Sequence, residues 1–134
     1  MTRYGIDALV AIRLAEAGRA APEGDALVAP AAMRADALRI LYAEVREGTR
    51  QEREALELLR AIAGTPMRVL GDKVSLRTAF RLAAELGLDD PVPATYLAVT
   101  RLQADAFVAL DPVLLALADG VVPLAPLSAL LPGS

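Results

Sequence analysis

Three short apolar runs in this chain each end in an aspartate that a helical pattern follows. They are Tyr4-Gly5-Ile6-Asp7, Val69-Leu70-Gly71-Asp72 and Phe107-Val108-Ala109-Leu110-Asp111. Such runs read as buried strands of a parallel sheet whose connections return through helices, and ligands of such sheets bind at the carboxyl ends of the strands. An aspartate at that place has two readings. Its carboxylate can cap the next helix by accepting a bond from an unpaired backbone N–H, worth about 1 kcal/mol. Alternatively, several carboxylates converge. Two of them about 4 Å apart repel by about 4 kcal/mol at an effective dielectric near 20, so a cluster calls for a cation, and Mg²⁺ or Mn²⁺ suits an all-oxygen site. The chain has no His and no Cys. That removes the commonest general base, the commonest zinc ligand and all thiol chemistry. Carboxylates, hydroxyls, Lys73, arginines or a metal remain.

Other charges are patterned as well. Asp36 lies early in a helical stretch, where the macrodipole alone favours an acid. Asp89 and Asp90 sit together in a loop. Lys73, Arg77 and Arg81 recur every four residues, which reads either as a solvated helix face or as a stripe for phosphate contact. Arg34, Arg46, Arg50 and Arg53 could extend that surface, but Glu44, Glu47, Glu52 and Glu54 are interleaved and favour ion-paired helix faces. No glycine-rich phosphate loop, nucleophile elbow or aromatic RNA-binding motif is present. The net charge of −3 gives no global attraction to nucleic acid. No basic residue follows Arg101, so an RNA partner would meet the central segment from Arg34 to Arg81.

The elements that must position these groups alternate in type. Strands are expected at 3–6, 25–29, 67–70, 106–110 and 121–124. Helices are expected at 8–17, at 31–47 with Pro30 opening it, from 49 to about 62 with Thr49 and Glu52 as a capping box, and at 73–86. Further helices are expected from Pro93 to about Gln103, after the Asp111-Pro112 start, and at 127–131. Helical spacing points Leu38, Leu41, Tyr42 and Val45 inward, then Leu56, Leu59 and Ala63, then Val74, Phe80, Ala83 and Leu86. Alternating strands and helices mean a layered α/β fold with a mainly parallel sheet. A length of 134 residues fits a single domain over 1–134. Asp7 and Glu16 break a signal-peptide pattern, and the charge-free stretch from Gly120 to Ser134 is too short to span a bilayer. A cytoplasmic protein without a membrane partner is expected.

Five segments carry a family resemblance: YGIDALVAIRLAEAG, LVAPAAMRADALRILYAEVREG, MRVLGDKVSLRTAFRLAAELGL, PATYLAVTRLQADAFVALD and GVVPLAPLSALL. Their order and spacing resemble a PIN domain, the nuclease fold of VapC-type toxins in bacterial toxin–antitoxin pairs, over nearly the whole chain. The resemblance implies a three-layer α/β/α sandwich with a mainly parallel central sheet and an acidic pocket at the strand carboxyl ends. That pocket would hold Mg²⁺ or Mn²⁺ and hydrolyse RNA phosphodiester bonds. Asp7, Asp36 and Asp111 fall on family acids and are the implied catalytic residues, with Asp36 standing where Glu is more usual. The family's remaining acid position, an Asp–Ala pair, reads Pro93-Ala94 here, and Thr95 stands where a further acid can occur. Asp90 is the implied fourth metal ligand, ahead of Asp89. Ala109 replaces a family Thr or Ser. These departures leave a catalytically attenuated or inactive PIN-like binding module as the alternative. Arg34, Lys73, Arg77 and Arg81 are the candidates for RNA backbone contact. The implied partners are an RNA substrate, a cognate antitoxin protein and a second copy of the chain in a homodimer.

Overall fold

The structure is a computed structural model that describes residues 1–134. Its elements run β1 (Arg3–Ile6), α1 (Ala8–Glu16), β2 (Ala26–Pro30), α2 (Ala32–Glu47), α3 (Glu52–Gly64) and β3 (Arg68–Leu70), then α4 (Lys73–Leu86), α5 (Ala94–Gln103), β4 (Ala106–Val108) and α6 (Pro112–Ala118), with a 3-10 turn at Leu127–Ala129. All strand pairs are parallel and the sheet order is β3-β2-β1-β4. Parallel neighbours need crossover connections, and the helices supply them. Helices α1, α2 and α3 pack on one another. Helices α4 and α5 form the other layer, α5 lying across β1, β2 and β4. The result is the expected three-layer α/β/α sandwich. The chain lays down β1, β2 and β3 in one direction and then returns to put β4 on the other side of β1. The strand order therefore reverses between β1 and β4, and a crevice opens there at the carboxyl ends.

Small residues set the spacing of the layers. In α5, Ala94, Tyr96, Leu97, Ala98, Val99 and Thr100 are all buried. A Cβ at Gly5 would stand 2.2 Å from Thr100 Oγ1, so only glycine lets α5 lie this close to β1. The Thr100 hydroxyl in turn donates to the Tyr96 carbonyl at 2.9 Å. On the other face Arg50 joins three helices: Nη2 meets Glu16 at 3.2 Å, Nε meets Glu44 at 3.0 Å, and Nη1 meets Glu54. No helix is long and apolar enough to cross a membrane.

Several expected details differ. Pro30 closes β2 opposite Leu70 instead of opening a helix. At a strand terminus its missing N–H is tolerated, and α2 begins at Ala32. Thr49 caps nothing ahead of it. Its hydroxyl donates to the Glu44 carbonyl at 3.2 Å, and α3 starts after Gln51. The inward face of α3 is Ala55, Leu58 and Ile62, and that of α2 is Met33, Ala37 and Leu41. Leu38, Tyr42, Leu56, Val74 and Phe80 are exposed. Alanines on the buried stripes let the helices approach closely, and apolar residues outnumber the positions of one stripe, so spacing alone fits more than one face. The expected strand at 121–124 reduces to a single bridge between Phe107 and Leu124, where Pro123 interrupts the donor series.

Gly5→Ala is expected to destabilise the fold by about 1–3 kcal/mol, the usual cost of overpacking, read as a lower urea midpoint at unchanged slope. Adding Thr100→Ala should recover part of the loss, because the nearest clash is with Thr100 Oγ1. Simple additivity of the two losses would contradict this contact.

Candidate active site

A cleft of about 530 Å³ lies at the β1–β4 reversal, and Asp7, Asp36, Asp90 and Asp111 all line it together with Arg39, Pro93 and Tyr96. Four acids from separate stretches of chain thus share one cavity with one basic side chain. Asp72, the third aspartate that ends an apolar run, is elsewhere. It accepts a bond from the Ser75 hydroxyl at the start of α4, and that bond first of all lowers its pKa.

Asp7 is placed by the end of β1 and the start of α1. Its Oδ1 accepts from the Val10 N–H at 2.8 Å, the cap of α1. Its Oδ2 accepts from two more backbone groups, Leu110 N–H at 3.0 Å and Asp111 N–H at 2.9 Å. The residue is only 1% exposed. Burial raises its pKa and outweighs the three N–H donors that lower it, and the nearby Asp111 charge adds to the rise. Capping and lining the cleft are therefore one arrangement, not alternatives.

Asp111 caps α6 through Oδ1, which accepts from Val113 N–H at 2.8 Å. Asp90, in the loop before α5, uses Oδ1 to take the Val92 N–H at 3.0 Å. Asp36 projects from the second turn of α2. Its Oδ1 meets Arg39 Nη1, and its Oδ2 accepts a bond from the Tyr96 hydroxyl. Burial raises the Tyr96 pKa most, followed by the bond to Asp36 and by the charges of Asp36, Asp7 and Asp111. Three carboxylates thus bear on one hydroxyl.

The donor set is all oxygen and suits Mg²⁺ or Mn²⁺. No three acids converge closely enough to ligate an ion together. Oxygens with spare capacity are Asp7 Oδ1, which accepts one bond, and Asp111 Oδ2 and Asp90 Oδ2, which accept none. This fits a cation that keeps most of its water shell, as Mg²⁺ commonly does. Arg34, Lys73, Arg77 and Arg81 do not line the cleft. Arg34 is exposed on α2 and the other three are exposed on α4. Asp89 is likewise exposed and outside it.

Sequence reasoning missed Arg39 and Tyr96. Arg39 was legible in principle as the i+3 partner of Asp36. Tyr96 carries the one hydroxyl-bearing ring in α5, in an otherwise small apolar stretch, and a buried Tyr hydroxyl needs a partner.

The crystal structure of PAE2754 from Pyrobaculum aerophilum is similar to this chain, with a TM-score of 0.69 and 25% sequence identity over 95% of this chain and 92% of that one. The likeness bears on the fold. No protein-family model and no curated protein matches the sequence.

Asp7 is expected to titrate above the ordinary 3.8. The folded state then holds this proton more tightly than the unfolded chain, so the contribution of Asp7 to stability is full below the unfolded pKa and is lost as pH rises through the folded one. Carboxyl ¹³C shifts recorded against pH read the midpoint directly. A midpoint at or below 3.8 would mean that the N–H donors outweigh burial.

Proposed function

We propose that this chain is a divalent-cation-dependent endoribonuclease of PIN-domain type, the toxin half of a toxin–antitoxin pair acting in the cytoplasm. The observation that carries this reading is the meeting of Asp7, Asp36, Asp90 and Asp111 in one cleft at the β1–β4 reversal, with Arg39 as the single basic lining group. Its cofactor is Mg²⁺ or Mn²⁺, held by Asp7 and Asp111 with Asp36 and Asp90 completing the acidic wall. When bound, the cation supplies Lewis-acid activation of water and compensation of charge on the phosphate.

The residues themselves do the positioning. Asp7 is fixed from three sides by backbone donors, so its free lone pair points in a set direction without reorganisation. Its raised pKa disfavours the bare anion, and a cation nearby favours it. Asp111 presents an uncommitted oxygen beside it. Tyr96 holds Asp36 in place through its hydroxyl. Pro93 occupies the wall where the resemblance implies an acid. Exposed Leu38 and Tyr42 on α2, and Val74, Leu76 and Phe80 on α4, offer apolar surface for an antitoxin or a second copy of the chain. Lys73, Arg77 and Arg81 on α4 and Arg34 on α2 are the basic groups for the RNA backbone.

A second reading, a PIN-like module that binds without cleaving, is favoured by one observation: no three acids converge on a shared ligand position. Cleavage of single-stranded RNA by the purified chain in Mg²⁺ or Mn²⁺, against EDTA, separates the two. The nuclease reading expects cutting that needs metal and falls by about 10²-fold or more in Asp7→Asn, the scale of losing one preorganised charge-stabilising group. Asp111→Asn, altered at a less buried position, should show the same loss even if Asp7→Asn folds poorly. Folded wild-type protein that cuts nothing with either metal would leave the binding module as the account.

A further inference from the structure

Arg39 is the one basic side chain in a cleft with four carboxylates. It follows Asp36 by three residues on α2, and its Nη1 meets Asp36 Oδ1. The other oxygen of Asp36 accepts the Tyr96 hydroxyl. Donors of the chain itself therefore engage both oxygens of this carboxylate. The two donors are held very differently. Tyr96 is 2% exposed and packed within the core. The Arg39 side chain is 71% exposed and bridges only to Asp36. Exposed ion pairs of this geometry are weak, because solvent screens them and long side chains resist being fixed. Tyr96 is thus the permanent partner of Asp36, and Arg39 is an exchangeable one.

A guanidinium beside a carboxylate does for the cleft part of what a metal ion would do: it offsets one of the mutually repelling negative charges. It is also a planar fork that matches the oxygens of a phosphate. We propose that Arg39 is a built-in substitute cation. It neutralises Asp36 while the cleft is empty, gives up that carboxylate when a divalent cation enters, and then turns to a phosphate of the incoming RNA. The inference rests on the cleft being a cation site. No bond is made or broken in the exchange; one positive charge replaces another at Asp36. Tyr96 keeps Asp36 oriented throughout.

This double role makes a prediction of opposite signs. Arg39 competes with the cation, so Arg39→Gln should tighten Mn²⁺ binding by up to about five-fold, the ratio matching the strongest exposed ion pairs. Arg39 cooperates with the phosphate, so the same variant should bind a 2′-O-methyl single-stranded oligonucleotide several-fold more weakly in the presence of Mn²⁺. Titration calorimetry reads the first and fluorescence anisotropy the second, and neither requires turnover. Arg19→Gln, at an exposed arginine outside both the cleft and the Arg34–Arg81 segment, should change neither. A merely structural Arg39 would move both affinities in the same direction or not at all. Wild type that binds Mn²⁺ while Arg39→Gln binds it equally or more weakly would overturn the role given to Arg39 and leave the cation site standing. Absence of Mn²⁺ binding to both proteins would overturn the site and the exchange together.

Discussion

The carboxylate of Asp7 is the constraint on which the rest of the cleft depends. A buried carboxylate without partners costs several kcal/mol. Here three backbone N–H groups answer it, one from the helix that follows β1 and two from the stretch that follows β4. Hydrogen bonds to a charged group contribute about 1.5–3 kcal/mol each, which offsets part of that cost, and the remainder shows in the raised pKa. The same bonds stitch the ends of β1 and β4 together across the point where the strand order reverses. One side chain thereby starts α1, fixes the approach to α6 and aims Asp111 into the same cavity. Removing it would alter position as well as charge.

Packing one layer away supports this arrangement. Gly5 lies beside Asp7 in the chain and admits Thr100 against β1. Thr100 bonds back to Tyr96, and Tyr96 reaches across to Asp36 on α2. The opposite layers of the sandwich therefore meet at the site through one hydroxyl. Electrostatics and packing pull against each other there. Burial and three neighbouring carboxylates keep the Tyr96 proton in place, so the ring acts as a donor to Asp36 and not as an acid.

Much of this was legible in the sequence. The apolar runs that stop at Asp7 and Asp111, each followed by a helix start, carry both the strand ends and the caps, because capping chemistry is local. The boundaries of β1 and α4 match their expected ranges too, although Asp72 makes no side-chain cap bond to the backbone of α4. The buried faces of α2 and α3 did not follow. Their apolar residues exceed a single stripe, and the choice of Ala55, Leu58 and Ile62 over Leu56 is made by neighbours distant in sequence. Pro30 illustrates a local signal with two outcomes, since its missing donor suits a helix start or a strand end equally. The meeting of Asp36 with Tyr96 spans sixty positions and depends on the order of the strands, which no local pattern states. A metal role for Asp7, Asp36, Asp90 and Asp111 was implied by the family resemblance, since spacing alone also fitted helix capping. The folded side chains place those acids around one cavity without closing them on a single point.

The measurement that bears most directly on this account is a titration of ¹⁵N-labelled protein with Mn²⁺, following line broadening of the backbone amides. A cation seated among these aspartates should broaden Val10, Leu110, Asp111 and Val113 first, at low metal-to-protein ratio and with competition from Mg²⁺, because their N–H groups are the ones bonded to Asp7 and Asp111. Broadening that begins instead at the exposed glutamates of α3, or that spreads evenly over the surface, would contradict a cation site at the β1–β4 reversal.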